Sequence, residues 1–422
     1  MALTDETSSS ASTRHVARAG PIIKRRQEMR NLLDHSRPPR ETFDRFSAWV
    51  QPLITLMSGK PLAGEAPWFN VTPIAKILID LTKFVSGIAL GTVLVSLSGA
   101  WLLALPLAWV LVVNSVVSLK LDSHYAAHSS ITGDNRLDTW IGEVLTAFVL
   151  SSNMEEYAHG HTIQHHGLEG IGTTEDPDLG LLFLMGFETG REVGWYKKRL
   201  LLSLISPRYH LLFAWDRVRS NFVTAPMKRR LLAVAMHGTV IGLVAWFGVW
   251  SVWTLAWLVP VVPLVAVSIG LQVPAEHLWL ARRTPNEAPR AFVRRISHGR
   301  FFLVAAPRGD LSPFDTACAW GFWAAAMLKP MLERCFVCVS VMPAHDYHHR
   351  HARIFKWPMD HYLRQQEIDQ GASDYRDIYG LSSALAELFV IWSELPRDHV
   401  PLSPTLLRAF ERSPLLRLAR AG

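Results

Sequence analysis

The chain has 422 residues, long enough for two soluble domains, yet 49 % of them are hydrophobic and only 19 % are charged, below the ~25 % typical of soluble domains. This composition excludes a disordered, collagen-like or coiled-coil protein, and three cysteines exclude a disulfide scaffold. The 43 basic and 36 acidic residues leave a modest positive excess, and most of the 18 histidines fall in four places. Composition therefore predicts a membrane protein with a metal site.

The chain begins with a polar, basic segment. Residues 1–48 contain no apolar stretch of the kind that a signal peptide requires, so we expect no cleaved signal sequence. We predict a mobile arm over residues 1–67. Apolar residues recur at helical spacing over 68–82, which predicts a helix at the membrane interface that leads into the first span.

Two long stretches lack Asp, Glu, Lys and Arg altogether. They cover residues 84–119 and 231–275, and each is long enough for two crossings of about 20 residues joined by a short turn. The turns are expected near Ser98 and near Trp250. Because stretches of this length exceed ordinary core helices, four membrane-spanning helices in two hairpins are favoured over helices buried in a soluble protein.

The distribution of basic residues predicts the orientation. Twelve Lys or Arg lie between residues 120 and 230, whereas the two predicted turns carry none. The positive-inside rule therefore predicts that this connection, both termini and everything after residue 276 are cytoplasmic. Three shorter apolar segments, residues 181–187, 199–214 and 317–343, are too short or too interrupted to span and are predicted to lie at the interface or to pack within the cytoplasmic part.

The first histidine cluster follows the second predicted span. His124 and His128 are four residues apart, so on a helix both rings project from one face. Such a pair alone is as typical of structural histidines as of metal ligands.

A second cluster follows about 35 residues later in the segment HGHTIQHH. His161 and His165 are again four residues apart, and His166 adjoins them. His159 lies two residues from His161, so it points elsewhere on the same helix and is kept outside the predicted ligand set.

A third cluster lies near the C-terminus in the segment HDYHHRH. His345, His348 and His349 share one helix face, whereas His351 lies nearly opposite His349. A single histidine, His277, comes two residues after the second uncharged stretch ends. We include it among the candidate metal ligands because the other clusters also lie at the predicted cytoplasmic boundary of the membrane.

Four further side chains are predicted to surround the ligands rather than to join them. The acidic turn GTTEDPD could accept hydrogen bonds from the second ring nitrogens of ligating histidines, or it could be an ordinary solvated turn. The residues assigned to this surrounding set are Asp176, Asp178, His159 and His351.

Taken together, the histidines predict two metals. Neutral imidazole suits Zn, Cu, Fe and Ni, and one tetrahedral zinc needs only four ligands, whereas the clusters supply nine candidates. The sequence contains no HExxH motif of zinc proteases and no GxSxG, P-loop or GxGxxG motif. The nine predicted ligands are His124, His128, His161, His165, His166, His277, His345, His348 and His349.

The remaining candidates are predicted to be structural. Cys335 and Cys338 form a CxxC within an apolar segment, without a second pair or a βαβ context, and are interpreted as packing residues. His210 and His237 are isolated and are interpreted as hydrogen-bonded core histidines.

These motifs resemble those of the membrane fatty acid desaturase superfamily, which includes related hydroxylases and carotenoid ketolases. The three boxes of that family correspond to His124-His128, His161-His165-His166 and His345-His348-His349, and its additional histidine after the fourth span corresponds to His277. The resemblance covers residues 80 to 360, within a desaturase-like domain assigned to residues 68–360 and followed by a cytosolic segment over 361–422. It implies an all-α integral membrane fold, with four membrane helices under a cytosolic helical cap that holds a di-iron centre.

The resemblance also implies partners. One departure from some acyl-CoA desaturases is Val273, with Gln272 beside it, where those enzymes have an Asn that contributes through water. The chain lacks the HPGG haem motif of a fused cytochrome b5 domain, so electrons are expected from a separate ferredoxin or cytochrome b5-like donor. An acidic donor could dock on an arginine-rich patch, or the patch could serve topology and lipid phosphate contacts; its residues are Arg282, Arg283, Arg290, Arg294, Arg295 and Arg300.

The function implied is O2-dependent, di-iron desaturation of a lipid acyl chain. Removing hydrogen from an unactivated CH2 group requires metal–oxygen chemistry that side chains cannot supply, and a substrate dissolved in the bilayer explains why the metal site needs membrane helices. The alternative is a hydroxylase or ketolase of a lipid or carotenoid on the same scaffold. We expect no nucleic-acid partner.

A competitor from another class is a non-enzymatic membrane protein, such as a metal transporter or a haem-binding subunit. It would need ionisable or metal-binding side chains inside the bilayer. His237 is the one such residue within the four predicted spans, which disfavours this class.

Overall fold

The computed structural model describes residues 21–168 and 170–397. The chain is mostly helical, and the described residues contain one small parallel sheet, formed by β1 (Gly299–Phe301) and β2 (Asp377–Tyr379). The all-α expectation is therefore confirmed. Parts of two predicted segments, residues 1–20 of the arm and residues 398–422 of the C-terminal segment, lie outside the described residues.

The N-terminal part contains two short helices, α1 (Pro21–Arg30) and α2 (Gln51–Ser58). Leu33 is buried, and Asp34 donates its backbone N–H to Ala306 at 2.8 Å. Arg40 is only 1 % exposed and forms an ion pair with Glu65 at 2.7 Å. From Leu33 onward the predicted arm thus has defined contacts, both within itself and with the rest of the chain, and the mobility of the residues before Leu33 stays a prediction.

Within the described residues, four helices are long and apolar enough to cross a membrane, which confirms the expected number. They comprise α3 (Pro73–Leu97), a 3₁₀ turn with α4 (Leu105–Ala127), α10 (Met227–Phe247), and a segment from Trp250 to Ala275 that contains α11 (Trp250–Val252), two π-helical turns and α12 (Val265–Gln272). The first turn lies at Ser98-Gly99, as expected, and the second at Gly248-Val249, just before the predicted position.

The first span begins earlier than predicted. Thr72 caps the N-terminus of α3 by accepting a hydrogen bond from the Ala75 N–H at 3.3 Å, and the helix then continues through the residues assigned to a separate interfacial helix over 68–82. The predicted helix over 68–82 therefore forms the N-terminal part of α3 and is not a separate element, and its charged residues are paired. Asp80 is fully buried and forms ion pairs with Lys76 and with Lys83.

The other helices form two groups, one between the second and third spans and one after the fourth span. The three short apolar segments belong to these groups and are not among the four candidate spans. The first group comprises α5 (Asn135–Phe148), α6 (Met154–Ala158), α7 (Leu179–Leu184), α8 (Val193–Ile205) and α9 (Pro207–Val218). The second comprises α13 (Pro289–Ile296), α14 (Pro313–Phe336), α15 (His345–Arg350), α16 (Asp360–Asp369) and α17 (Leu381–Glu394).

One large apolar core connects the spans with these helices. It extends from Val112 and Val116 in α4 to Trp392 in α17. Trp392 donates its indole N–H to the Trp279 carbonyl at 2.9 Å, and Trp279 donates to the Val273 carbonyl at 2.8 Å. These bonds fix the chain that leaves the fourth span and carries His277.

Glycines allow the first span to approach the second and fourth spans closely. A Cβ at Gly87 would lie 2.8 Å from Val112 Cγ2 and 3.2 Å from the Val112 backbone nitrogen, and a Cβ at Gly91 would lie 3.0 Å from Ala256 Cβ in the fourth span. Small residues at such positions are typical of packed membrane helices.

We predict that Gly87→Leu lowers stability by about 1–3 kcal/mol, because the added side chain separates α3 from α4. Gly242→Leu is the matched control, since Gly242 lies within α10 and has no atom near the position of a Cβ. Thermal unfolding of both variants in lipid nanodiscs measures the difference. Equal melting temperatures for the two variants would contradict this packing.

Candidate metal centre

The nine predicted histidines come from four places that converge at the ends of the second and fourth spans. His124 lies in the last turn of α4, with His128 as its C-cap residue. His277 follows the fourth span, and α15 carries the last three. The second cluster lies in a π-helical turn over His159–His165 that continues α6.

The π-helical turn places the histidines of the second cluster differently from a regular α-helix. The backbone N–H of His166 bonds to the His161 carbonyl, five residues back, at 2.9 Å. This brings the rings of His161 and His166 to 4.6 Å between centroids, whereas His165 faces the other half of the site. π-Helical turns inside α-helices are frequent at functional sites, and the spacing of the histidines did not predict how they divide.

The nine rings form two groups, and within each group the candidate donor atoms lie within 4.8 Å of one another; a third, overlapping group joins His161 and His165 to Asp178. Each of the two groups of rings draws on at least three parts of the chain. The group of five comprises His124, His128, His161, His166 and His348, and the group of four comprises His165, His277, His345 and His349.

Ring nitrogens converge closely inside each group. In the group of five, His348 Nε2 lies 2.7 Å from His124 Nε2 and 3.0 Å from His166 Nε2. In the group of four, His345 Nε2 lies 3.3 Å from His277 Nε2 and 3.1 Å from His349 Nε2. The Nε2 atoms of His128 and His161 are buried without a hydrogen-bond partner among the described residues. Convergent imidazole nitrogens of this kind fit a metal ion, since each can offer a lone pair.

The surroundings favour neutral rings. Burial lowers the pKa of most of these histidines well below the ordinary value, because the charged form loses its hydration; those outside the spans with this shift are His161, His166, His277, His345, His348 and His349. Burial also lowers the pKa of His128, to about 4. Neutral imidazole is the form that binds metal.

His165 differs because a carboxylate contacts it. Burial alone would lower its pKa, but Asp176 Oδ2 lies 2.8 Å from Nδ1, and the pKa rises to about 9. The same hydrogen bond keeps the proton on Nδ1 in the neutral ring, which leaves Nε2 free to bind a metal. Asp178 Oδ2 lies at 3.5 Å from the same nitrogen.

Two further hydrogen bonds orient ligand candidates, and the sequence reasoning missed both. Tyr157 lies with its hydroxyl 3.0 Å from His124 Nδ1 and stacks on the His161 ring at 5.3 Å. Ser297 Oγ lies 3.2 Å from His277 Nδ1. Tyr157 could have been predicted to contact the site, because it lies four residues before His161 on one helix. Ser297 could not, because it is 20 residues from His277 in the sequence.

A buried ionic network holds the third cluster. Asp346, which follows His345, accepts hydrogen bonds from Arg364 Nε and Nη2, both at 2.8 Å. Arg364 also pairs with Asp377 at 2.8 Å, and Asp377 pairs with Lys60 at 2.8 Å. Helix α15 is therefore fixed from the side opposite the metal site by α16, β2 and the N-terminal part of the chain.

The other predicted surrounding residues lie away from the two groups. His159 is exposed, and His351 Nε2 lies 2.7 Å from Glu367. The isolated histidines are bonded to backbone carbonyls, His210 to Leu204 and His237 to Ala147, each at 2.8 Å.

The arginine patch differs from the prediction at one residue. Arg300 is only 1 % exposed, and its guanidinium lies 3.3 Å from the Met342 carbonyl, so assigning it to a surface patch was wrong. All three residues of β1 are buried, so Arg300 lies inside the protein. The other five patch residues are exposed.

A cavity of about 300 Å³ lies beside the two histidine groups, between the second and fourth spans and the helices that connect them. Four candidate ligands reach its wall, namely His124, His161, His165 and His345. Apolar side chains such as Leu121, Leu181, Phe213 and Ile269 line much of the rest. The cavity therefore offers an apolar molecule direct access to both histidine groups.

A comparison with curated proteins found none that matches. The family model described as fatty acid desaturase matches residues 99–305, which contain three of the four spans, the first two histidine clusters and His277. The chain belongs to the fatty acid desaturase superfamily.

Proposed function

We propose that this protein is a di-iron enzyme that uses O2 to introduce a double bond into the acyl chain of a membrane lipid. The observation that carries the proposal is the pair of buried histidine groups beside a cavity at the ends of the spans. All nine predicted ligands belong to these groups. Membership of the desaturase superfamily supports iron as the metal.

The chain supplies the ligands and fixes their geometry. When iron is bound, it provides the oxygen activation that breaks an unactivated C–H bond. Asp176, Tyr157 and Ser297 hold ligand rings through the nitrogens that face away from the donor atoms. The cavity excludes bulk water around the reacting part of the substrate and limits which carbon approaches the centre.

The overall reaction balances with one O2. Two hydrogens leave adjacent carbons of the acyl chain, an external donor gives two electrons, two protons are taken up, and the products are the alkene and two water molecules. The donor is proposed to be a ferredoxin or a cytochrome b5-like protein. The histidine groups, both termini and the connection between the second and third spans are proposed to be cytoplasmic, because that connection is rich in basic residues.

The proposed route for electrons is a second cavity, which is lined in part by arginines. Arg290, Arg294 and Arg350 line a cavity of about 420 Å³ that also reaches His349. An acidic donor docked on this surface would approach the metal centre through His349, on a face different from that of the substrate cavity. Complementary charge favours such an encounter chiefly through the association rate.

The proposal predicts a defined product. Protein loaded with iron and reconstituted in lipid nanodiscs with O2, NADPH, ferredoxin and its reductase should convert saturated acyl chains to alkenes, detected by mass spectrometry of the lipids. His161→Ala is the inactive control. Hydroxylated or ketonic lipids that carry label from ¹⁸O2, without any alkene, would overturn desaturation and identify a hydroxylase or ketolase.

The ligand set gives a second prediction. His277→Ala should abolish turnover and lower iron from about two atoms per chain toward one, because the group of four loses a ligand. His351→Asn is the matched control; this histidine bonds Glu367 instead, and the variant should keep iron and most activity. Elemental analysis of purified protein measures both variants. Full iron and full turnover in His277→Ala would remove it from the ligand set.

A further inference from the structure

The cavity beside the metal centre is not uniformly apolar. Its wall includes a lysine, Lys120, one helical turn before His124 on the same face of α4. Side chains four residues apart on a helix are neighbours, with about 5–6 Å between their Cβ atoms. A group bound by the Lys120 ammonium therefore lies only a few carbon–carbon bonds from the metal centre.

Lys120 differs from the other charged residues in the wall because its ammonium has no partner. Among the described residues, no carboxylate lies within 4.0 Å of it and no side chain or carbonyl bonds to it. The other charged groups have contacts of their own: Glu276 accepts from Gln272 at 2.6 Å, Asp178 approaches His165 at 3.5 Å, Asp216 pairs with Arg219 at 3.2 Å, and Arg217 donates to Ser151 at 2.6 Å.

An unpaired ammonium in such a place is costly unless something binds it. Charged side chains within membrane-spanning helices are rare and commonly mark a substrate or ion pathway. Apolar groups such as Val117, Leu121 and Phe213 line part of the cavity around Lys120. A cation beside an apolar surface matches an acyl chain, which has oxygen atoms at one end and hydrocarbon along the rest.

We infer that the cavity binds its substrate by the acyl oxygen end, with Lys120 on the carboxylate or carbonyl oxygen, so that oxidation takes place within a few carbons of that end. This inference rests on the proposed function and specifies its substrate class and position of attack. A substrate bound with its carrier outside the protein and its mid-chain at the metal would instead leave Lys120 without a role.

Binding to metal-free protein tests the inference without turnover. Isothermal titration of the protein in nanodiscs would use dodecanoate, methyl dodecanoate and dodecane as probes. Dodecanoate should bind tightest, and Lys120→Met should weaken its binding roughly 10- to 100-fold, as expected for one lost charge-assisted hydrogen bond. Lys120→Arg should recover most of the affinity. Lys198→Met, which removes an exposed lysine of α8, should change nothing.

The comparison of probes identifies which oxygen is recognised. A loss in Lys120→Met that is confined to dodecanoate indicates a free carboxylate, and a loss shared with methyl dodecanoate indicates an acyl carbonyl. Equal binding of dodecanoate to the wild type and to a folded Lys120→Met variant would overturn the inference, as would dodecane binding as tightly as dodecanoate.

The products of turnover distinguish a failure of this inference from a failure of the proposed function. With an active holoenzyme, double bonds or hydroxyl groups should lie near the carboxyl end of the chain; mid-chain alkenes would overturn the inference while leaving desaturation intact. Lys120-dependent binding in an iron-loaded protein that oxidises no lipid would mean that the proposed function fails although the binding site exists.

Discussion

Nine imidazole rings must lose their water and approach within a few ångströms of one another at the ends of membrane helices, and much of the fold serves this requirement. Buried polar nitrogens are costly unless they are bonded. The protein meets part of that cost with Asp176, Tyr157 and Ser297, which bond ring nitrogens that face away from the centre. The nitrogens that face inward converge in two groups, which leaves a metal as their natural partner.

The same problem of burial arises in the first span. Asp80 is fully buried between Lys76 and Lys83, and Lys83 also donates to Asn114 in the second span at 2.9 Å. Asp122, two residues before His124, lies 3.8 Å from Lys76. Removing one member of such a set leaves an uncompensated charge, which costs far more than the pair itself contributes. This network therefore fixes the two helices against each other just below the metal centre.

The sequence predicted the architecture well because the relevant signals are local. Uncharged stretches long enough for two crossings each can be counted along the chain, and the histidine clusters stand at fixed spacings. What could not be predicted depends on three-dimensional context. The π-helical turn assigns His161 and His165 to different groups, a division that α-helical spacing cannot indicate. The charges of α3 delayed the predicted start of the first span, because sequence alone did not show that Asp80 pairs with Lys76 and Lys83 and that Lys76 also lies near Asp122 in the second span. Arg300 was predicted to lie at the surface because the strand that buries it pairs with residues 377–379, which are distant in sequence.

The central claim is that the two histidine groups hold two iron ions. Anomalous diffraction at the iron edge, on crystals of protein purified without added metal, measures this directly. The account predicts two peaks, one among His124, His128, His161, His166 and His348 and one among His165, His277, His345 and His349. A single peak, a peak at the zinc edge alone, or metal bound away from these rings would contradict it.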